Sequence, residues 1–262
     1  MRYETRKVAF DDGTRSVRFA RPTAPPSEAD LSTWVRAQVH GLDLSGAAIG
    51  GGGLDWLDSL PLDALLVASP RIVPSLPTAT LARLRHLYLA QGVRLRVPIS
   101  TRRCEQLERI SADESHLDGA LSDAKCLLEV HLTRAKSLSI GVVDGLPRLR
   151  SLRLEVDTRL GDPPFDLCGG GGVAALRSLW IENAHVRSLA GTGTMAELEE
   201  LVVLPRRPVE VTPPVDLEGL RGLDRLRWLR LPRHGGPQGV DALNDLPALE
   251  RAVLDGVDFA RI

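Results

Sequence analysis

Few residues in this chain stand in patterns that do chemistry. His131, Arg153 and Glu155 are ionisable and, if a fold gathered them on one surface, they could serve as acid and base. Solvated charge pairs across strands would leave the same trace in sequence. Gly191-Thr192-Gly193-Thr194-Met195-Ala196 matches the loose dinucleotide pattern G-x-G-x-x-A, yet no βαβ unit of about 30 residues surrounds it. The plainer reading is a turn leading into Leu198. The glycine runs at 50–53 and 169–172 lack the Gly-Lys-Ser/Thr ending of a phosphate loop and read as flexible turns. Cys104, Cys126, His116 and His131 could be gathered by stacking. Without a C-x-x-C or H-x-x-x-H pair, however, no structural zinc site is expected. Cys104 and Cys126 read as small buried apolar residues and Cys168 as an exposed thiol. No G-x-S-x-G elbow occurs. No catalytic residue, metal or cofactor is therefore expected, and the chain reads as a non-enzyme.

Composition narrows the classes further. Of 262 residues, 44 are leucine and only 10 are Phe, Tyr or Trp. With 33 basic and 34 acidic residues the formal charge is −1, which argues against nucleic acid as a partner. No apolar stretch reaches the ~18 residues of a membrane span, so no membrane partner is expected, and no secretory leader is visible. Three widely spaced cysteines fit reduced thiols in a cytoplasm. The 30 arginines against 3 lysines lean toward a GC-rich, bacterial genome.

The leucines are periodic. An apolar residue followed by others three and five positions later recurs at Val39, Leu62, Leu84, Leu107, Leu127, Leu149, Leu176, Leu198, Leu226 and Leu249, at intervals of 20 to 28 residues. A further apolar residue often follows each triplet, as at Ile49, Ile72, Leu95, Leu117, Leu138, Leu160, Val186, Val209 and Phe259. This pattern resembles the leucine-rich repeat family, whose core motif is L-x-x-L-x-L-x-x-N-x-L, over roughly residues 39 to 262. The resemblance implies an α/β fold: a right-handed solenoid, or horseshoe, with a parallel concave sheet of about ten strands and an irregular or short-helical convex side. Where the family places Asn or Cys, this chain has residues such as Ala47, Gly92, Asp157 and His234. The asparagine ladder is missing, and water or backbone must take over its hydrogen bonds. The two long intervals, 27 and 28 residues, carry Gly169 to Gly172 and Pro213-Pro214 and read as loop insertions.

Residues 1–38 do not repeat. Lys7–Phe10 and Arg15–Phe19 around Asp11-Asp12-Gly13-Thr14 read as a β-hairpin. A helix is expected from Ser27 to Gln38 with Trp34 and Val35 on its apolar side. Together they make an N-terminal cap over a solenoid at 39–262. No C-terminal cap is visible, so a monomer, or a weak dimer through the open last strand, is expected.

In the resembled motif, residues beside the core leucines face the concave surface. Tyr88, His131, Arg153, Trp180, Trp228 and Arg230 fall on those outward rows. Trp, Tyr and Arg dominate interface hot spots, and outward tryptophan is costly without a partner. The alternative is a solvated face on which Arg153 pairs with Glu129 or Glu182. The favoured reading is a cytoplasmic protein-recognition module whose six named residues bind a protein partner, with an immunity protein that occludes a toxin as one form. An adaptor subunit of a larger complex, or an enzyme or enzyme accessory using His131, Arg153 and Glu155, is the alternative.

Overall fold

The computed structural model describes residues 2–10, 12–44, 53–69, 72–118, 121–158, 162–168, 172–205, 215–231, 238–254 and 257–260. Ile49, Leu160, Val209, His234, Gly50–Gly52, Gly169–Gly171 and Pro213-Pro214 lie outside them, as does the side chain of Phe259. The chain divides into two compact units, residues 1–128 and 129–262.

In the first unit, β1 (Arg2–Phe10) and β2 (Gly13–Arg21) form an antiparallel hairpin, longer than its apolar alternation predicts. Gly13 supplies the turn with φ +123°, a backbone conformation open mainly to glycine. α1 (Glu28–Arg36) begins at a reciprocal cap, in which Ser27 Oγ accepts from the Asp30 amide (3.2 Å) and Asp30 accepts from the Ser27 amide (3.0 Å). Trp34 is buried edge-on to Trp56, at a ring separation of 6.1 Å. Val35, expected on the same apolar side, is instead exposed, since one residue along a helix turns about 100° away from its neighbour. Four parallel strands follow: β3 (Gly41–Asp43), β4 (Ala64–Val67), β5 (His86–Leu89) and β6 (Arg109–Asp113). β2 joins them through Phe19↔Gly41 and Ala20↔Leu42. A short α2 (Thr78–Arg83) lies on the return path, where Asp58 accepts from both the amide and the hydroxyl of Thr80 (2.8 and 2.6 Å).

The second unit holds six parallel strands in register, one per repeat: β7 (Glu129–Ala135), β8 (Ser151–Val156), β9 (Ser178–Glu182), β10 (Glu200–Leu204), β11 (Trp228–Arg230) and β12 (Arg251–Leu254). Leu152, Leu179, Leu201, Leu229 and Ala252 align across five of them. β13 (Val257–Ala260) turns back antiparallel along β12 from Leu254↔Val257 to Arg251↔Ala260. This corrects the expectation of an open last repeat, because the edge of β12 is already paired within the chain. Asp255-Gly256, a hairpin dipeptide between two short apolar runs, was the overlooked signal.

Every residue of the ten triplets is buried, including all ten first positions from Val39 to Leu249. Burying a leucine side chain contributes roughly 1.5–3 kcal/mol, and register turns single leucines into a continuous column. The further apolar position behaves differently. Ile72 is exposed and Leu95, Leu117 and Leu138 are half-buried, whereas Val186 is buried.

A different row closes the return side of the second unit. Ser139, Asp166, Ser188 and Asp216 each accept, through a side-chain oxygen, the amide two residues on (3.1, 2.8, 3.1 and 3.0 Å). Backbone bridges link Ser139 to Asp166 and Ser188 to Asp216. The next residues, Ile140, Leu167, Leu189 and Leu217, are buried. This Ser/Asp ladder satisfies turning backbone that the absent asparagines leave open. Each of its members stands ten residues before the next triplet, so the extra residues of the two long repeats lie between strand and ladder rather than at the glycine run. Gly172 is no slack turn, since a Cβ there would lie 2.4 Å from the Gly145 nitrogen.

Candidate functional site

Alternation along each strand sends one set of side chains into the leucine core and the other outward. In the second unit register fixes the outward rows. His131 lies beside Arg153, Arg153 beside Trp180, Trp180 beside Val202, and Val202 beside Arg230. One row over, Ser178 stands beside Glu200, Glu200 beside Trp228, and Trp228 beside Arg251. Five of the six sequence-predicted residues thus share one face of this unit. Tyr88 stands in the first unit, on β5, and is exposed.

The face is organised by arginines over indoles. The Arg153 guanidinium lies 5.5 Å from the Trp180 ring centroid and pairs with Glu182 Oε1 at 2.6 Å. Arg251, outside the predicted set, lies 4.9 Å from the Trp228 ring. Ser178 Oγ donates to Glu200 Oε2 at 2.8 Å. Val202 sits on an outward row yet is wholly buried, as expected for a small side chain in register between Trp180 and Arg230.

Burial lowers the His131 pKa, and the Arg153 charge lowers it further against the opposing pull of Glu182 and Glu155. Both effects favour the neutral imidazole. Glu155 is in register with Glu182, and it is Glu182 that answers Arg153. The result is a surface on which Arg153 is paired with Glu182 and two indoles lie under arginines.

The first unit shows a feature that sequence reading missed. Its hairpin lies across an outward row formed by Gly41, Ala64 and His86. The Phe19 ring occupies the space a Cβ on Gly41 would fill, 2.7 Å away. Phe10, Val17, Phe19 and Ala64 form a small apolar cluster. Phe10 stacks tilted on His86 at 4.6 Å, and Arg85 covers its ring at 4.4 Å while its Nε donates to Glu108 (2.8 Å). Buried Asp43 accepts from Arg21 Nε and Nη2 (3.0 and 2.6 Å). Burial, with Arg109 and Arg85 adding to it, lowers His86 to about 4. The small pair Gly41 and Ala64 on consecutive outward positions was the available signal.

Among the described residues no group of three His, Cys, Asp or Glu could hold a metal ion. Cys104 is buried, and burial raises its thiol to about 11; Cys126 is half-buried and Cys168 exposed. His116 is buried, with Nδ1 accepting from the Asp113 amide (3.2 Å) and Nε2 facing the Val93 carbonyl (2.7 Å), the arrangement of a neutral structural imidazole. The G-x-G-x-x-A segment falls on a 3-10 turn, Ala190–Thr194, on the return side. A Cβ on Gly191 would lie 1.9 Å from the Leu167 carbonyl oxygen, so this glycine serves contact between repeats. Among the described residues no helix is long and apolar enough to cross a membrane.

No protein-family model matches the sequence, and no curated protein matches it. Solved structures do match in fold. An internalin (InlF) from Listeria monocytogenes is 15% identical, with 86% of this chain and 68% of that one covered and a TM-score of 0.58. Internalin C2 from the same species is also 15% identical, with 77% and 82% covered and a TM-score of 0.52. The functional domain of InlJ, described as including a cysteine ladder, is 16% identical, with 81% and 43% covered and a TM-score of 0.53. Internalins are leucine-rich repeat proteins. Together with ten buried triplets on parallel strands, this shows that the chain has the leucine-rich repeat fold.

Proposed function

We propose that the protein is a non-enzymatic recognition module that binds a protein partner through the outward face of its parallel strands, the concave face of this fold class. One observation carries the reading: Trp180 and Trp228 stand on outward rows, each under an arginine, although the leucine core on the other side has no need of them. Half-buried indoles held flat by guanidinium groups are rigid and amphipathic, and they lose little entropy when a partner covers them. Tyr88 is assigned the same role in the first unit.

Within this reading, an immunity protein that covers a toxin and an adaptor subunit of a larger complex are the two forms. A cytoplasmic location accompanies both, supported by three unbridged cysteines. The gene's neighbours distinguish the forms, a toxin gene favouring the first and an operon of enzymes the second. The face itself is tested by Trp180→Ala combined with Trp228→Ala. The double variant is expected to keep the wild-type circular dichroism spectrum and lose pull-down of its specific partner. Undiminished recovery of that partner would remove these residues from the site.

A further inference from the structure

The cations of the second unit's face are not equivalent. Arg153 is answered within the chain by Glu182. Arg230 is exposed on β11, and among the described residues it makes no ion pair or hydrogen bond. Its register neighbours are Val202 and Val253, both apolar, and the indole of Trp228 is on its own strand two residues away. An exposed guanidinium whose donors are met by solvent alone keeps its planar fork available to an incoming carboxylate.

The geometry points to a carboxylate-bearing segment of the protein partner as the occupant of this ground. An Asp or Glu of the partner pairs with Arg230, and an adjacent apolar side chain lies on the half-buried Trp180 and Trp228 rings. Charge complementarity selects this occupant. Among the described residues Arg230 is exposed without an ion pair, and Glu155, Glu182 and Glu200 stand on strands β8 to β10, where they would repel a polyanion such as nucleic acid or an anionic membrane. A single carboxylate beside an apolar group meets the cation and avoids the acids. The inference rests on the recognition reading above and specifies its chemistry.

The test uses the full chain as bait for a displayed library of random peptides, with enriched peptides resynthesised for titration. Enriched sequences should carry Asp or Glu beside an apolar residue. Arg230→Glu should weaken their binding about tenfold or more, an acid-to-Lys change in the peptide should restore part of it, and affinity should fall as salt rises. Enriched peptides without an acid, or binding that Arg230→Glu leaves intact while Trp180→Ala with Trp228→Ala abolishes it, overturns the carboxylate assignment and spares the face. Binding indifferent to all three substitutions overturns both, and a library that yields no enrichment counts against the assignment. A dimer in sedimentation that Arg230→Glu dissolves would give the ground to a second copy and overturn it as well.

Discussion

Gly191 and Gly193 sit two residues apart on one turn and should respond oppositely to alanine. A Cβ on Gly191 would fall 1.9 Å from the Leu167 carbonyl oxygen and 2.2 Å from its carbon, both backbone atoms of the preceding repeat. An ordinary contact needs roughly 3.2–3.4 Å, so the two return segments must part by more than 1 Å, in an interior packed as densely as a crystal. That opening strains the turn and disturbs Thr192, whose Oγ1 bonds the Leu189 and Gly219 carbonyls (2.7 and 3.0 Å). Overpacking of this kind costs about 1–3 kcal/mol, and a compromised buried hydrogen bond adds about 1 kcal/mol. Gly191→Ala should therefore destabilise by about 3 kcal/mol. At about 2–4 °C per kcal/mol for a chain of this size, the unfolding midpoint drops by about 6–12 °C. At Gly193 the nearest atom to a new Cβ is 3.9 Å away, so Gly193→Ala should be neutral or stabilise by up to about 1 kcal/mol through a less flexible unfolded chain. Thermal melts followed by circular dichroism measure both. Equal losses, or an unharmed Gly191→Ala, would refute the close-approach argument.

The Ser/Asp ladder makes a second prediction. Asp216→Ala removes the acceptor for the Glu218 amide and should cost about 1 kcal/mol in chemical denaturation, with Asp216→Asn recovering most of it. Stability should also depend on His86. Its folded pKa, about 4, lies below the ordinary 6.5, so the unfolded chain takes up the proton first. The contribution is complete above pH 6.5 and is lost as pH falls toward 4. The full shift would be worth about 3 kcal/mol, reduced to about 1–2 kcal/mol for a half-buried group. Denaturation midpoints measured from pH 7 to 4 should show this slope, and His86→Gln should flatten it.

The Trp180, Trp228 and Arg230 arrangement was readable in advance because period-two alternation and a fixed repeat phase determine which residues point outward. Glu182 as the partner of Arg153 was one of two candidates the sequence offered; register sets both one diagonal step away, and the direction the Arg153 side chain takes over Trp180 chose it. The ladder at Ser139, Asp166, Ser188 and Asp216 escaped notice because its distance from the preceding triplet varies; only its distance to the following one is constant. Arg251 over Trp228 escaped because cation–ring stacking depends on rotamers of neighbouring strands, which no spacing records.

The amino-acid sequence by itself determined the repeat, its phase, and hence the leucine core and the outward rows, because a strand's two faces follow from residue parity alone. Tertiary structure decided what covers those rows. It laid the N-terminal hairpin on Gly41, Ala64 and His86, paired the last repeat strand with β13, and left Arg230 without a counter-charge among the described residues. Those outcomes depend on contacts between residues far apart in sequence, whose energies are set by packing and charge in space rather than by order along the chain.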